Sequence, residues 1–346
     1  MKYKVIPILA PTSTRAGERR KQAWRLVAQA AFFIVFVLTP VFDLLRYDLT
    51  RGHAYFLGLE WHLGLDAFIS GKVGAGEAAL DIVTRLFVPI FLVAGLVIGI
   101  AWKWGRLYCG WLCPHFSVVE TVNRLMLVAT GKPSLWEPKL LPTRRADGST
   151  ALPDRRAWLL VIPLTVGFAL TWTVVLLSYL MPPLEMYPRL FTLTLLPGER
   201  IFVIAATVVL TLEFLFARHL FCKYACAVGM FQSLAWMGNK QALVVGVDRA
   251  RLAECAECLD GTGSACEAAC PMRLKPRSIK RLMFACTQCS QCISACAEVQ
   301  KDNPQGSLLG WVDAESARQL EAGFKAPRPT QTPHTPHKPH TPRGVG

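Results

Sequence analysis

Acidic residues are scarce in this chain: 24 Asp and Glu stand against 38 Lys and Arg, a net charge of +14 over 346 residues. That surplus could suit nucleic acid or the basic flanks of a membrane protein, and the placement of the charges decides between them. A small-residue cleavage site is also missing after the first apolar run, so the basic N-terminus does not read as a cleavable secretory signal. Charges inside the apolar runs are few and no inverted repeat is evident, which argues against a transporter. Beyond Lys325 there is nothing apolar to bury, only a Pro/His/Thr succession, so residues 313–346 read as a disordered, extended tail.

What the chain has in quantity is apolar sequence, 52% of residues, gathered in long runs. Four stand out, at 26–42, 82–102, 158–181 and 201–216. A membrane helix needs ~20 largely apolar residues, with ~17 near the lower limit. The second and third runs pass easily; the first passes with its flanks and the fourth by extending towards Phe221. Pro40, Pro89 and Pro163 fall inside or at the ends of these runs, where membrane helices tolerate them.

The basic residues concentrate in the arm at 1–25, with Lys2, Lys4, Arg15, Arg19, Arg20, Lys21 and Arg25, and in the segment after the second run, from Arg106 to Arg156. The connection between the third and fourth runs has only Arg189 and Arg200. Under the positive-inside rule both termini are then cytoplasmic and nucleic acid is not needed to explain the charge. The segment 43–81 falls on the periplasmic side. Its aromatic stretch at 55–61 suits a re-entrant or interfacial element, and His53 and His62 within it are candidates to line a quinone or haem site.

Twelve cysteines carry the chemistry. Cys286-x2-Cys289-x2-Cys292-x3-Cys296 has the spacing that wraps a [4Fe–4S] cluster with three thiolates while the fourth reaches a second cluster. Upstream, Cys255-x2-Cys258-x7-Cys266-x3-Cys270-Pro271 is the same run with a wider middle gap. The pairing rule places one cluster on Cys255, Cys258, Cys266 and Cys296 and the other on Cys270, Cys286, Cys289 and Cys292. Zinc knuckles are the competing reading, but two matched runs favour two [4Fe–4S] clusters. The remaining four, Cys109-x3-Cys113-Pro114 and Cys222-x3-Cys226, follow the second and fourth apolar runs. Their i, i+4 spacing would put each pair on one helical face. They form one four-thiolate site or two redox dithiols, and soft thiolates would suit copper(I), zinc or another iron–sulfur centre. His115 beside them and Glu213 inside the fourth run are candidates for a ligand or proton relay, and His334, His337 and His340 in the tail for weak metal collection.

Several stretches, taken in order, resemble the FixG/RdxA/CcoG cytochrome c oxidase accessory proteins over residues 25–312. They are Thr84-Arg-Leu-Phe-Val-Pro89, Cys109-Gly-Trp-Leu-Cys-Pro114, Cys222-Lys-Tyr-Ala-Cys226 with Phe231-Gln-Ser233, and the two ferredoxin runs; Phe42-Asp-Leu-Leu-Arg46 and Tyr55-Phe-Leu-Gly-Leu59 look like that family's first periplasmic segment. The resemblance implies maturation of copper-containing oxidases, reduction of copper(II) to copper(I), and oxidase assembly factors as partners. It departs in having neither a further membrane helix nor a β-sandwich, and in Ala227 where the family prefers proline. The four-helix layout is also similar to the NapH/MauN ferredoxin-type membrane proteins, which implies quinol oxidation and delivery to a redox partner.

The sequence therefore predicts an α-helical protein of the bacterial inner membrane, with four transmembrane helices in a membrane domain at 26–236 and a cytoplasmic two-cluster ferredoxin-like (α+β) domain at 240–312. Its expected role is electron transfer, with Cys109, Cys113, Cys222 and Cys226 as the reactive thiols. A metal or maturation partner, a quinol, and a non-catalytic scaffold with structural clusters are the alternative destinations of that reading.

Overall fold

The computed structural model describes residues 14–312, apart from 138–139, 151, 218, 256–257 and 262; the tail histidines lie outside the described residues. Four helices are long and apolar enough to cross a membrane: Arg15–Leu38, Ala75–Trp104, Arg155–Ser178 and Pro197–Ala217. Their apolar side chains are left largely bare. None of the most apolar window of the second helix is buried, a surface far too extensive for a water-soluble monomer.

The helix ends follow local chemistry. Thr14 caps the first helix by accepting from the Gly17 amide, and the Thr39 hydroxyl returns to the Val35 carbonyl where Pro40 approaches. In the second helix the turn Val83–Phe87 widens to a π-helix just ahead of Pro89. Proline cannot donate to the carbonyl four residues back, and the indole of Trp61 takes that orphaned Arg85 carbonyl instead, at 3.0 Å. At its far end the helix stops on Gly105, which sits at φ +66°. The last carbonyls there are taken by later chain: Asn239 donates to Trp102 and the Leu243 amide to Lys103, at 2.8 and 3.0 Å.

Segment 43–81, expected to be re-entrant or interfacial, contains a three-stranded antiparallel sheet: β1 (Leu45–Asp48), β2 (His53–Phe56) and β3 (Leu59–Trp61) in the order β1-β2-β3. Leu57 and Gly58 join β2 to β3 with φ +52° and +78°, the positive values a two-residue hairpin turn needs. The strands are too short and mixed in pattern to announce themselves in the sequence. Backbone bonds from Tyr47 and Leu49 to the carbonyls of Tyr179 and Leu180, each 2.9 Å, fasten the sheet to the end of the third helix. Asp48 anchors it from inside. Burial disfavours its carboxylate, but Thr50, the Arg46 guanidinium and the Arg51 amide bind the ionised form and hold it down at about 2.

At the opposite end of the helices, β4 (Val244–Val247) pairs antiparallel with β5 (Leu309–Val312). The cysteine-rich chain between them closes over Val244, Val245, Met272, Ile293 and Leu309. Phe116 and Trp236, from the helices Pro114–Thr130 and Ala227–Gly238, belong to the same core. The cysteine-rich part therefore shares its interior with the ends of the apolar helices.

Candidate iron–sulfur and thiol sites

Two small cavities lie in the cysteine-rich part. Cys255, Cys258, Cys266 and Cys296 line the first, and Cys270, Cys286, Cys289 and Cys292 the second. These are the two sets that the spacing rule assembles, each borrowing its fourth cysteine from the other run. The loops are shaped for it. Gln288 and Ser290, on either side of Cys289, sit at φ +55° and +64°, so the chain turns sharply and repeatedly around the second cavity. Backbone amides approach the sulfurs, with Ala265 to Cys258 and Leu274 to Cys270 at 3.4 Å each.

A four-iron cube fits this donor set. Each cavity offers four thiols, and the Ser290 hydroxyl and Gln288 amide beside the second are buried with no partner among the described residues. Burial pushes the Cys266 thiol up to about 11 and Cys286 to about 12, and also raises Cys255, Cys289 and Cys292. Buried thiols of this kind stay protonated alone and become thiolates when a cationic centre replaces the proton.

The four remaining cysteines come together. Cys109 lies within electrostatic reach of Cys113 and Cys226, and Cys222 of all three. The i, i+4 expectation needs correcting, because neither pair lies on one face of a continuous helix. Cys109 is in the short helix Leu107–Trp111 and Cys222 in the π-helical turn Phe221–Ala225. Cys113 and Cys226 instead stand at the N-caps of the next helices, with matching extended backbones at φ/ψ −57°/118° and −74°/105°. Ala227 begins its helix where Pro114 begins the other, so the proline is not needed to make the break. Burial pushes Cys109 up to about 12 and raises Cys113 and Cys222.

Arg106 is the residue that sequence reasoning missed here, having counted it only as a topogenic charge. It is 1% exposed. Its guanidinium donates to the Cys222 carbonyl at 2.7 Å and to Ser233, and the Ser233 hydroxyl donates onward to Phe284. It feels Cys109, Cys226, Cys222 and Cys286 together, so one buried cation lies between the four-thiol site and the second cavity. The second cavity adjoins the first, because Cys292 and Cys296, about one turn apart on the helix Gln291–Val299, line one cavity each. The three cysteine groups thus stand in series.

The first thiol pair docks directly on the second cavity. Trp111 donates to the Gln288 carbonyl at 3.1 Å, and a Cβ built on Gly110 would stand 2.1 Å from the Thr287 carbonyl oxygen. Only glycine permits that approach. Gly110→Ala is expected to force the two loops apart at a cost of about 1–3 kcal/mol. A thermal melt of the variant checks this, and an unchanged melting temperature would show that the contact tolerates a side chain.

His115 and Glu213 belong to the surroundings of the thiol site. His115 Nε2 lies 3.1 Å from Glu213 Oε1, and its ring contacts Trp172, Phe214 and Phe221. Beside Cys109, whose thiol reaches Gln232 Oε1 at 3.8 Å, opens an apolar cleft of about 660 Å³ walled by Val97, Tyr108, Trp111 and Leu112. His53 and His62, at the other end of the helices, pack ring to ring at 4.9 Å and take no part in the cysteine sites.

A family model described as a 4Fe-4S binding domain matches residues 85–133 and 199–242. The matched segments hold Cys109, Cys113, Cys222 and Cys226 rather than the eight later cysteines. Over 283 residues the chain is 24% identical to the ferredoxin-type protein NapH of Haemophilus influenzae, covering 80% of this chain and 86% of that protein. It is 25% identical over 288 residues to the putative electron transport protein YccM of Escherichia coli, covering 80% and 74%. With the methylamine utilization ferredoxin-type protein MauN of Methylorubrum extorquens it shares 31% identity over 201 residues, 57% of this chain and 56% of that one. No solved structure matches.

Proposed function

We propose that this protein is a membrane-bound iron–sulfur electron-transfer protein holding two [4Fe–4S] clusters in its two four-cysteine cavities. The observation that carries the reading is the series of cysteine groups, from the outer cavity through the inner one to the four thiols at the helix ends. The clusters supply one-electron storage. The chain's own residues insulate them, turn the loops so that four sulfurs converge, aim amides at the sulfurs and hold the Arg106 cation nearby, which tunes their potentials. We place this apparatus on the cytoplasmic side of a bacterial inner membrane, from the excess of Lys and Arg in the N-terminal arm and the 106–156 segment.

The four thiols are the point at which electrons leave or enter. Reduction of copper(II) to copper(I), in the service of oxidase maturation, suits such soft ligands and is the activity implied by the FixG/RdxA/CcoG resemblance. A second reading is favoured by the apolar cleft beside Cys109: its size and lining suit a quinol, whose oxidation would feed the clusters as in a NapH-type subunit. Anaerobic purification with iron and sulfide counts, followed by EPR during addition of quinol or copper(II), separates them. About eight irons with copper-driven oxidation supports the cupric reductase, and quinol-driven reduction without a copper response supports the second reading. Zinc in place of iron sinks both, and clusters that no physiological reductant can reduce would leave only an assembly scaffold.

A further inference from the structure

His53, His62 and Asp66 each offer one donor atom, and the three atoms lie within 4.8 Å of one another. The sequence does not announce this group, because a turn makes it. His53 opens β2, His62 follows the end of β3, and Asp66 sits in the short helix Leu65–Ile69. The chain between them reverses at Gly64, which has φ +78° and where a Cβ would stand 2.6 Å from Asp81 Oδ2. Any side chain there is both strained and obstructed, so the turn is available to glycine alone.

The assembly is held from behind. Arg85 donates to the His62 carbonyl at 3.1 Å and pairs with Asp81, and Trp61 returns a bond to the Arg85 carbonyl. Glu60 Oε2 lies 3.4 Å from His62 Nε2, and its other oxygen accepts from Tyr55 at 3.2 Å. A carboxylate set against one nitrogen of an imidazole fixes the ring and raises the basicity of the other nitrogen. Metal–nitrogen bonds of about 2.0–2.1 Å require donor atoms roughly 3.3–3.5 Å apart in a tetrahedral site. The three donors lie within 4.8 Å of one another, so binding an ion would draw them closer together.

We propose that His53, His62 and Asp66 bind one divalent late-transition cation, copper(II) or zinc(II), at the end of the molecule opposite the cysteines. Two imidazoles and a carboxylate are the donors of such ions, and magnesium or calcium would want oxygen throughout. The site lies level with Arg85, and the 19 residues from there to Trp104, the end of the second helix, set it about 30 Å from the thiol end at 1.5 Å per residue. The ion is therefore resident on the β-sheet and is not another member of the electron series. The site stands whether or not the proposed electron transfer does.

The test is zinc titration by calorimetry on the full chain in detergent. No affinity tag is present, and His334, His337 and His340 are replaced by alanine so that the tail cannot contribute. With Cys109, Cys113, Cys222 and Cys226 first blocked by alkylation in parent and variants alike, one zinc per chain is expected, with affinity weakened at least about tenfold in each of His53→Gln, His62→Gln and Asp66→Asn. Cluster absorbance unchanged from the parent certifies that each variant is folded. Absence of a stoichiometric site in the parent, or the same affinity in all three folded variants, overturns the proposal.

Discussion

Replacing Cys289 with serine is expected to remove about half of the protein-bound iron and to stop electron flow between the inner cavity and the membrane-proximal thiols. Cys289 is 8% exposed and shares its cavity with Cys270, Cys286 and Cys292. The left-handed residues at 288 and 290 turn the chain sharply on either side of it. A serine oxygen is a harder, shorter donor at a site built for soft thiolates. The outer group, with Cys296 as its fourth donor, should keep its cluster and EPR signal, because Cys289 does not line that cavity. Iron content and quinol- or copper-dependent turnover are the measurements. If both match the parent protein, Cys289 is not a ligand.

The largest expected loss of stability follows Arg25→Met. Arg25 is 2% exposed in the first helix, where it forms a two-pronged pair with Glu120 and donates to the Gly110 carbonyl at 2.7 Å. Glu120 is the hub of this region and also accepts from Gln29, Arg124 and Gln291. Burial by itself would raise the Glu120 carboxyl, but Arg25 and Arg124 hold it below the usual carboxylate range. Removing one partner of a buried pair strands the other charge and costs about 3–5 kcal/mol, roughly a 10 °C fall in melting temperature for a chain of this size. Adding Glu120→Gln should recover part of that loss, because the stranded charge disappears with it. Thermal melts of the single and double variants followed by cluster absorbance give the coupling, and additive losses would mean that the pair is not what joins these elements.

Much of this architecture is legible in the amino-acid order. Each of the four apolar runs falls within or overlaps a long helix, and the grouping of eight cysteines about two cavities follows the spacing of the runs. The limits are equally physical. The meeting of Cys109, Cys113, Cys222 and Cys226 is a tertiary event between segments a hundred residues apart. Their i, i+4 spacing misled because it presumes an unbroken helix, and the chain breaks at each second cysteine. Arg106 and Arg25 read as flanking charges until packing turns one towards the thiols and the other onto Glu120. The sheet at 45–61 is too short for a period-two pattern, and the His53–His62–Asp66 group depends on a reversal at Gly64 that side-chain periodicity does not encode.

The first helix also settles how a redox partner must approach. Its N-terminal turns reach the cysteine-rich part: Arg15 and Arg19 grip Glu298, and Gln22 donates to the Cys289 carbonyl at 3.0 Å. The same rod that enters the apolar region is thus bolted to the cluster loops, and Trp111 and Gly110 add a second fixing close by. Proteins that carry electrons on a swinging head need a slack tether, and here the tether is a helix pinned at the head itself. The donor or acceptor must therefore come to a stationary port, and exchange with it will depend on the shape and charge of that surface rather than on the reach of a moving arm.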